Sequence, residues 1–301
     1  MPRLIRPNAT YAIERRIERR RFLLRPDAEL NNLFIWLVAI CAERTGVEVH
    51  IATVMSTHFH LVVHAPHENV SVFMHLLDMH MACALQVYRR FAHGVIWEPG
   101  KLSIVELVTP EAVEQQIAYA IVNPVKAGLV YEPEDWPGVT ASVQDLDRRV
   151  FGGRRPAFYF GADKWPEETA ITFTLPAWLS VFGDEEEVRR RLEAEVLRQK
   201  EEARADVKEK GWKVMGAIAA ANVSPYRRAK SWEELGTLRP HIAAGRGQRE
   251  AREAAIARLR CFRGRHAECK ARWCAGERDV VFPAGTYWMR VHHGVAVEPF
   301  E

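Results

Sequence analysis

The stretch Val47–Pro66, VEVHIATVMSTHFHLVVHAP, decides how the first half of this chain folds. Two apolar runs, Val47–Met55 and Phe59–Val63, flank Ser56-Thr57, the pattern of two adjacent strands joined by a tight connection. Successive strand side chains point to opposite faces, so His58 and His60 share one side while Phe59 faces the other. Two imidazoles about 7 Å apart on a rigid strand suit one divalent metal ion. Each His is also readable as an ordinary half-buried sheet residue, and the metal reading requires a third ligand and a reactive group nearby.

Working outward, Thr10–Ile17 alternates as a first strand running into Arg19-Arg20-Arg21. From Pro26 to about Arg44, Leu30, Leu33, Phe34, Leu37, Val38 and Cys41 recur at helical spacing, and Thr45-Gly46 ends that helix. After the two strands, Asn69 or Ser71 caps a long helix to about Phe91; Leu102–Val108 reads as a fourth strand. Pro110-Glu111 opens a further helix, PEAVEQQIAYAIVNPVKAGLV. Strand, helix, hairpin, helix, strand, helix predicts a ferredoxin-like α+β fold, an antiparallel sheet with helices on one face.

On that last helix Tyr119 and Asn123 are four residues apart, hence on one face, and Pro124 places Asn123 where the helix bends or ends. A phenol attacking phosphorus must be held near a cation that withdraws charge from the phosphate, and an amide oxygen one turn away can help hold that cation. Tyr119 as nucleophile and Asn123 as third ligand would complete the His58/His60 site; a core Tyr and a C-terminal Asn cap is the structural alternative.

The two motifs, MSTHFHLVV and YAIVNPVKAGLV, resemble the single-tyrosine HUH transposases, specifically the REP-associated tyrosine transposase branch. The resemblance covers roughly residues 1 to 150. It departs at Ser56-Thr57, where the family commonly has Pro-Asn before the first His. It implies an HUH nuclease fold, a metal pair His58 and His60 with Asn123 as additional ligand, Tyr119 as nucleophile, and Mg²⁺ or Mn²⁺ as cofactor. The implied reaction is cleavage and strand transfer of single-stranded DNA beside hairpins through a 5′-phosphotyrosine link. A non-catalytic hairpin-binding protein on the same fold is the alternative from another class, and a relaxase-type nickase a third reading. His64 keeps the parity of His58 and His60 and is a possible extra site residue; Glu106 is the one acidic residue to watch for metal-nuclease chemistry.

Composition sets bounds on partners. The chain is 48% apolar and 27% charged with a net charge of only +3, so the whole-chain balance argues weakly for a polyanionic partner. The distribution says more: eight arginines stand against two glutamates between residues 1 and 25. Arg15, Arg16, Arg19, Arg20 and Arg21 are the candidates for gripping a DNA backbone, with Lys126 contributing from the site side. Trp97 and Tyr131 are candidates for stacking on bases, core packing being the alternative for Trp97. Five cysteines in no disulfide-like pattern, no apolar leader and no run of eighteen apolar residues predict a soluble cytoplasmic protein, no membrane partner, acting as monomer or homodimer.

Three regions are expected: a catalytic domain over residues 1–150, a Gly/Arg-rich linker over 151–165, and a mostly helical accessory region over 166–301. In the last, Asp184 caps a long charged helix with Val188, Leu192, Val196 and Leu197 on one side. Arg246–Arg265 reads either as a helix laid on DNA or as an exposed charged face, and His292-His293 is a weak metal signal.

Overall fold

The computed structural model describes residues 2–91, 94–230 and 241–300, with the side chain of Lys101 excepted. Residues 231–240 of the expected accessory region lie outside the described residues. The first half follows the order read from the sequence: β1 (Ala9–Ile17), α1 (Ala28–Thr45), β2 (Glu48–Val54), β3 (His58–Ala65), α2 (Val70–Tyr88), β4 (Trp97–Leu107) and α3 (Pro110–Lys126). The sheet runs β2-β3-β1-β4, each neighbouring pair antiparallel. A short strand from the C-terminal half, β7 (Ile242–Ala243), lies parallel to the outer edge of β4 and makes the sheet mixed.

Local chemistry explains the ends of these elements. Asp27 accepts a hydrogen bond from the Leu30 N–H at 2.9 Å to start α1, and Gly46 ends it at φ 67°, a left-handed conformation that favours glycine. Thr109 caps α3 and Pro110 occupies its first turn. The helix was expected to bend or end at Asn123; it runs through Pro124 to Lys126 before Gly128 turns the chain at φ 66°.

Helices cover both faces of the sheet, not one. Phe59 meets Phe34 of α1, ring centroids 5.4 Å apart, and Trp97, 5.7 Å away, whose indole N–H donates to the Asp78 carbonyl of α2. On the opposite side of β3, His60 meets Asn123 and Tyr119 of α3. The reason is visible in the strands: Ile51 and Val62 on the His60 side are buried as fully as Phe59 and Leu61 on the other, so both faces need cover. By length and composition α2 could cross a membrane. Here Phe73, Met74, Leu77, Met81 and Leu85 bury its apolar side in the core.

The stretch expected to be a linker, residues 151–165, is built into the fold. Val150–Arg154 is strand β5, paired antiparallel with β6 (Glu168–Thr172), and the two lie on α1. Trp36 of α1, fully buried, packs its ring 4.7 Å from Phe160 and 5.7 Å from Trp165. Gly153 is what permits this: a Cβ there would sit 2.7–2.8 Å from the backbone nitrogen, Cα and Cβ of Trp36. Phe160, Phe173, Leu179, Val188 and Leu192 join the same apolar cluster as the sheet residues.

The remaining elements are α4 (Glu185–Glu209), α5 (Ala217–Asn222), α6 (Arg249–Cys274) and α7 (Trp288–His293). Helix α4 lies along α3. Arg191 holds the buried Glu114 through two hydrogen bonds of 2.7 and 3.0 Å, Gln199 donates to the Gln115 carbonyl at 3.0 Å, and Lys200 pairs with Glu132 at 2.9 Å. Val188 and Leu192 of its predicted stripe are buried, whereas Leu197 is exposed.

Candidate active site

The two sequence motifs, some sixty residues apart in the chain, converge on His60. Asn123 Nδ2 donates to His60 Nε2 at 3.1 Å, and the Tyr119 ring stands edge-on to His60 with centroids 5.5 Å apart. His58 and His60 rings are 4.7 Å apart and nearly perpendicular. β3 fixes the shared side of the two imidazoles, and the i, i+4 spacing on α3 brings the phenol and amide to the same point. Thr57 Oγ1 lies 2.9 Å from His58 Nδ1, so Nε2 is the nitrogen that could hold a metal. Lys126 Nζ sits 4.7 Å from the centre of the Tyr119 ring.

Electrostatics keep His58 neutral. Burial, then the neighbouring His60, Arg16 and Arg20, hold its pKa well below the usual imidazole value. Neutral imidazole is the form a metal requires. Among the described residues no three His, Cys, Asp or Glu side chains gather as a metal centre; the candidate set is two imidazoles and an amide. A half-turn of the Asn123 amide about its last bond exchanges nitrogen for oxygen facing His60, which makes the donors two nitrogens and one oxygen. This set fits a divalent cation.

Strand parity divides the arginine cluster. Arg16 is in register with His58, and Arg16 and Arg20 both act on His58 electrostatically. Arg15 points to the other face, where it pairs with Asp78 at 2.8 Å and lies over Trp97. Arg21 pairs with Glu18 and covers Phe91, while the exposed Arg19 also pairs with Glu18. Arg16 pairs with Glu14 at 2.8 Å, so Arg15, Arg16, Arg19 and Arg21 all have carboxylate partners. Arg19 and Arg20 both adopt positive φ, 52° and 53°, a costly conformation for non-glycine residues.

Other expected residues lie elsewhere. His64, four residues along β3 from His60 and so about 13 Å away, stands 3.2 Å from Thr10 Oγ1 and does not reach the site. Glu106 is buried between Arg6 at 2.7 Å and Arg258 at 3.1 Å, an internal ion pair. Trp97 is core, and Tyr131 is exposed.

Sequence reasoning missed the polar cleft on the α4 side of Tyr119. A cleft of about 250 Å³ beside Tyr119 and Lys126 is closed by Arg198, Glu202 and Asp206 of α4 together with Arg246. These contacts are polar, so the apolar periodicity of α4 carried no trace of them; only its runs of Glu and Arg hinted at ion pairing with a neighbour.

No protein-family model matches the chain, and no curated protein matches it. Among solved structures, one of a REP-associated tyrosine transposase bound to a REP hairpin is similar over 59% of this chain and 94% of its own, at 17% identity and a TM-score of 0.41. Similarity at that level leaves the reading of the site to its own geometry.

Proposed function

We propose that this chain is a single-strand DNA endonuclease and strand transferase of the tyrosine HUH type, acting at hairpin-bearing DNA ends. The observation that carries the reading is the convergence of Tyr119 and Asn123 on His60, because packing alone does not require a phenol, an amide and two imidazoles at one point. The strand order β2-β3-β1-β4, with β1 and β3 central, supports the ferredoxin-like form of that fold.

Each residue has a part in the mechanism. The Tyr119 phenol oxygen attacks the scissile phosphorus in line, the bond to the 3′ oxygen breaks, and the phenol proton is lost as the 3′-OH is formed. Lys126 places a positive charge beside the Tyr119 ring, 4.7 Å from its centre. Arg16 and Arg20 place positive charge where the phosphate must lie. His58, His60 and Asn123 would hold Mg²⁺ or Mn²⁺, which when bound supplies charge withdrawal from the phosphate. Because the tyrosine link conserves the phosphodiester energy, a 3′-OH from another strand reverses the step and joins DNA.

The test is covalent attachment to labelled single-stranded hairpin DNA on a denaturing gel, with Mg²⁺ or Mn²⁺. The expected result is a metal-dependent 5′ adduct in the wild type that is absent in Tyr119→Phe. Hairpin binding without an adduct in either protein would replace the enzyme by a binding module.

A further inference from the structure

The C-terminal segment builds a second feature with no part in that chemistry. After α6 the chain folds back, and Val280, Phe282, Met289 and Val295 form a small core to which Cys269 and Trp273 of α6 are added. Phe282 bridges to Val297, and the Ile5 N–H donates to the Gly285 carbonyl at 3.3 Å, fastening this unit to the N-terminal segment. Gly285, at φ 85°, is the residue that allows so close an approach to Leu4 and Ile5.

On this base α7 turns Met289 inward and leaves its aromatic side open. Trp288 is 58% exposed, and His292 and His293 are exposed beside it. The rings form a continuous run across two helices. Trp288 lies 5.0 Å from His292 and 4.9 Å from His293, His293 lies 4.9 Å from Trp273, and the Arg278 guanidinium sits 4.4 Å from the Trp273 ring. Lys270 is one turn before Trp273 on α6 and exposed. Lys270 and Arg278 put two cations beside these rings, while Arg272 is paired with Glu277 at 2.8 Å.

We infer that this run of rings is a stacking surface for the unpaired bases of single-stranded DNA, with Lys270 and Arg278 meeting its phosphates. Exposed rings interleaved with cations are the chemistry that binds single strands with little sequence preference. The assignment takes its nucleic acid from the function proposed above, but it does not depend on Tyr119 chemistry. Arg290 pairs with Glu68 at 2.9 Å, which sets α7 beside the chain just past the end of β3.

The experiment measures fluorescence anisotropy of a labelled 20-nucleotide oligothymidylate with the full chain carrying Tyr119→Phe, so that no covalent step contributes. Trp288→Ala is expected to weaken binding about tenfold or more, with its melting temperature unchanged because the side chain is exposed. Lys270→Ala and Arg278→Ala are expected to flatten the dependence of affinity on salt. Photocrosslinking of a bromodeoxyuridine oligomer should label the peptide containing Trp288. Unchanged affinity in Trp288→Ala, or no binding by the parent, overturns the inference. An equal loss of binding to polyglutamate would overturn it too, by assigning the patch to acidic proteins. The covalent adduct formed by the wild type at Tyr119 is read separately, so failure here leaves the proposed reaction standing.

Discussion

Substituting Gly153→Ala asks whether residues 151–165 are part of the core or a tether. The new methyl carbon would stand 2.7–2.8 Å from three atoms of Trp36, two of them backbone, against an ordinary carbon contact of about 3.5–4.0 Å. Relief therefore requires β5 and α1 to part by roughly 1 Å, which loosens the packing of Trp36 on Phe160 and Trp165. Overpacking of this kind costs about 1–3 kcal/mol. Gly152, the neighbour on the other side of the strand, has nothing within 4 Å of a Cβ, so Gly152→Ala removes unfolded-state freedom without a clash and gains up to about 1 kcal/mol. Urea unfolding of the two variants reads the difference, and thermal unfolding should show Gly153→Ala lower by roughly 2–5 °C. If the two alanine variants agree within about 0.5 kcal/mol, the close packing of β5 on α1 is wrong and the segment behaves as the linker its composition suggests.

Two further outcomes are expected. Asn123→Leu removes the donor to His60 inside a buried site, which should cost about 1–3 kcal/mol in urea unfolding and abolish the metal-dependent adduct; an adduct of wild-type yield would remove Asn123 from the site. His50 is buried with Nδ1 2.8 Å from Thr174 Oγ1, and burial pushes its pKa down to about 3. A depressed value means its stability is present above the unfolded pKa near 6.5 and is lost as pH falls, about 2 kcal/mol between pH 6.5 and 4.5. His50→Gln should flatten that part of the stability curve, and an unaltered slope would refute the assignment.

The grouping of these side chains was partly legible because it rests on two short-range rules: parity along β3 and the four-residue repeat on α3. Those rules place His58 with His60 and Tyr119 with Asn123. They do not say that the two pairs meet, which the contact of α3 with the second sheet face decides. Parity also separates Arg16 from Arg15, yet a run of arginines reads as one patch until the register of β1 on β3 is known. Gly152-Gly153 misled for a physical reason: the same lack of a side chain serves a loose loop and a strand pressed onto a tryptophan. The polar seam of α4 on α3 and the two-residue strand β7 leave no periodic signal at all.

Strand β7 has a consequence for how the chain is made. The four antiparallel strands are all synthesised once residue 107 has been added, but the strand that pairs with the last two residues of the outer edge of β4 arrives only with Ile242 and Ala243. At about 5–20 residues per second that interval lasts roughly 7–27 s. During it a nascent chain carries a sheet with an open edge, able to pair with any extended segment that comes near. On a polysome the nearest such segment is the same edge of the next copy, so the pace of translation between these two points bears on yield as directly as the stability of the finished fold.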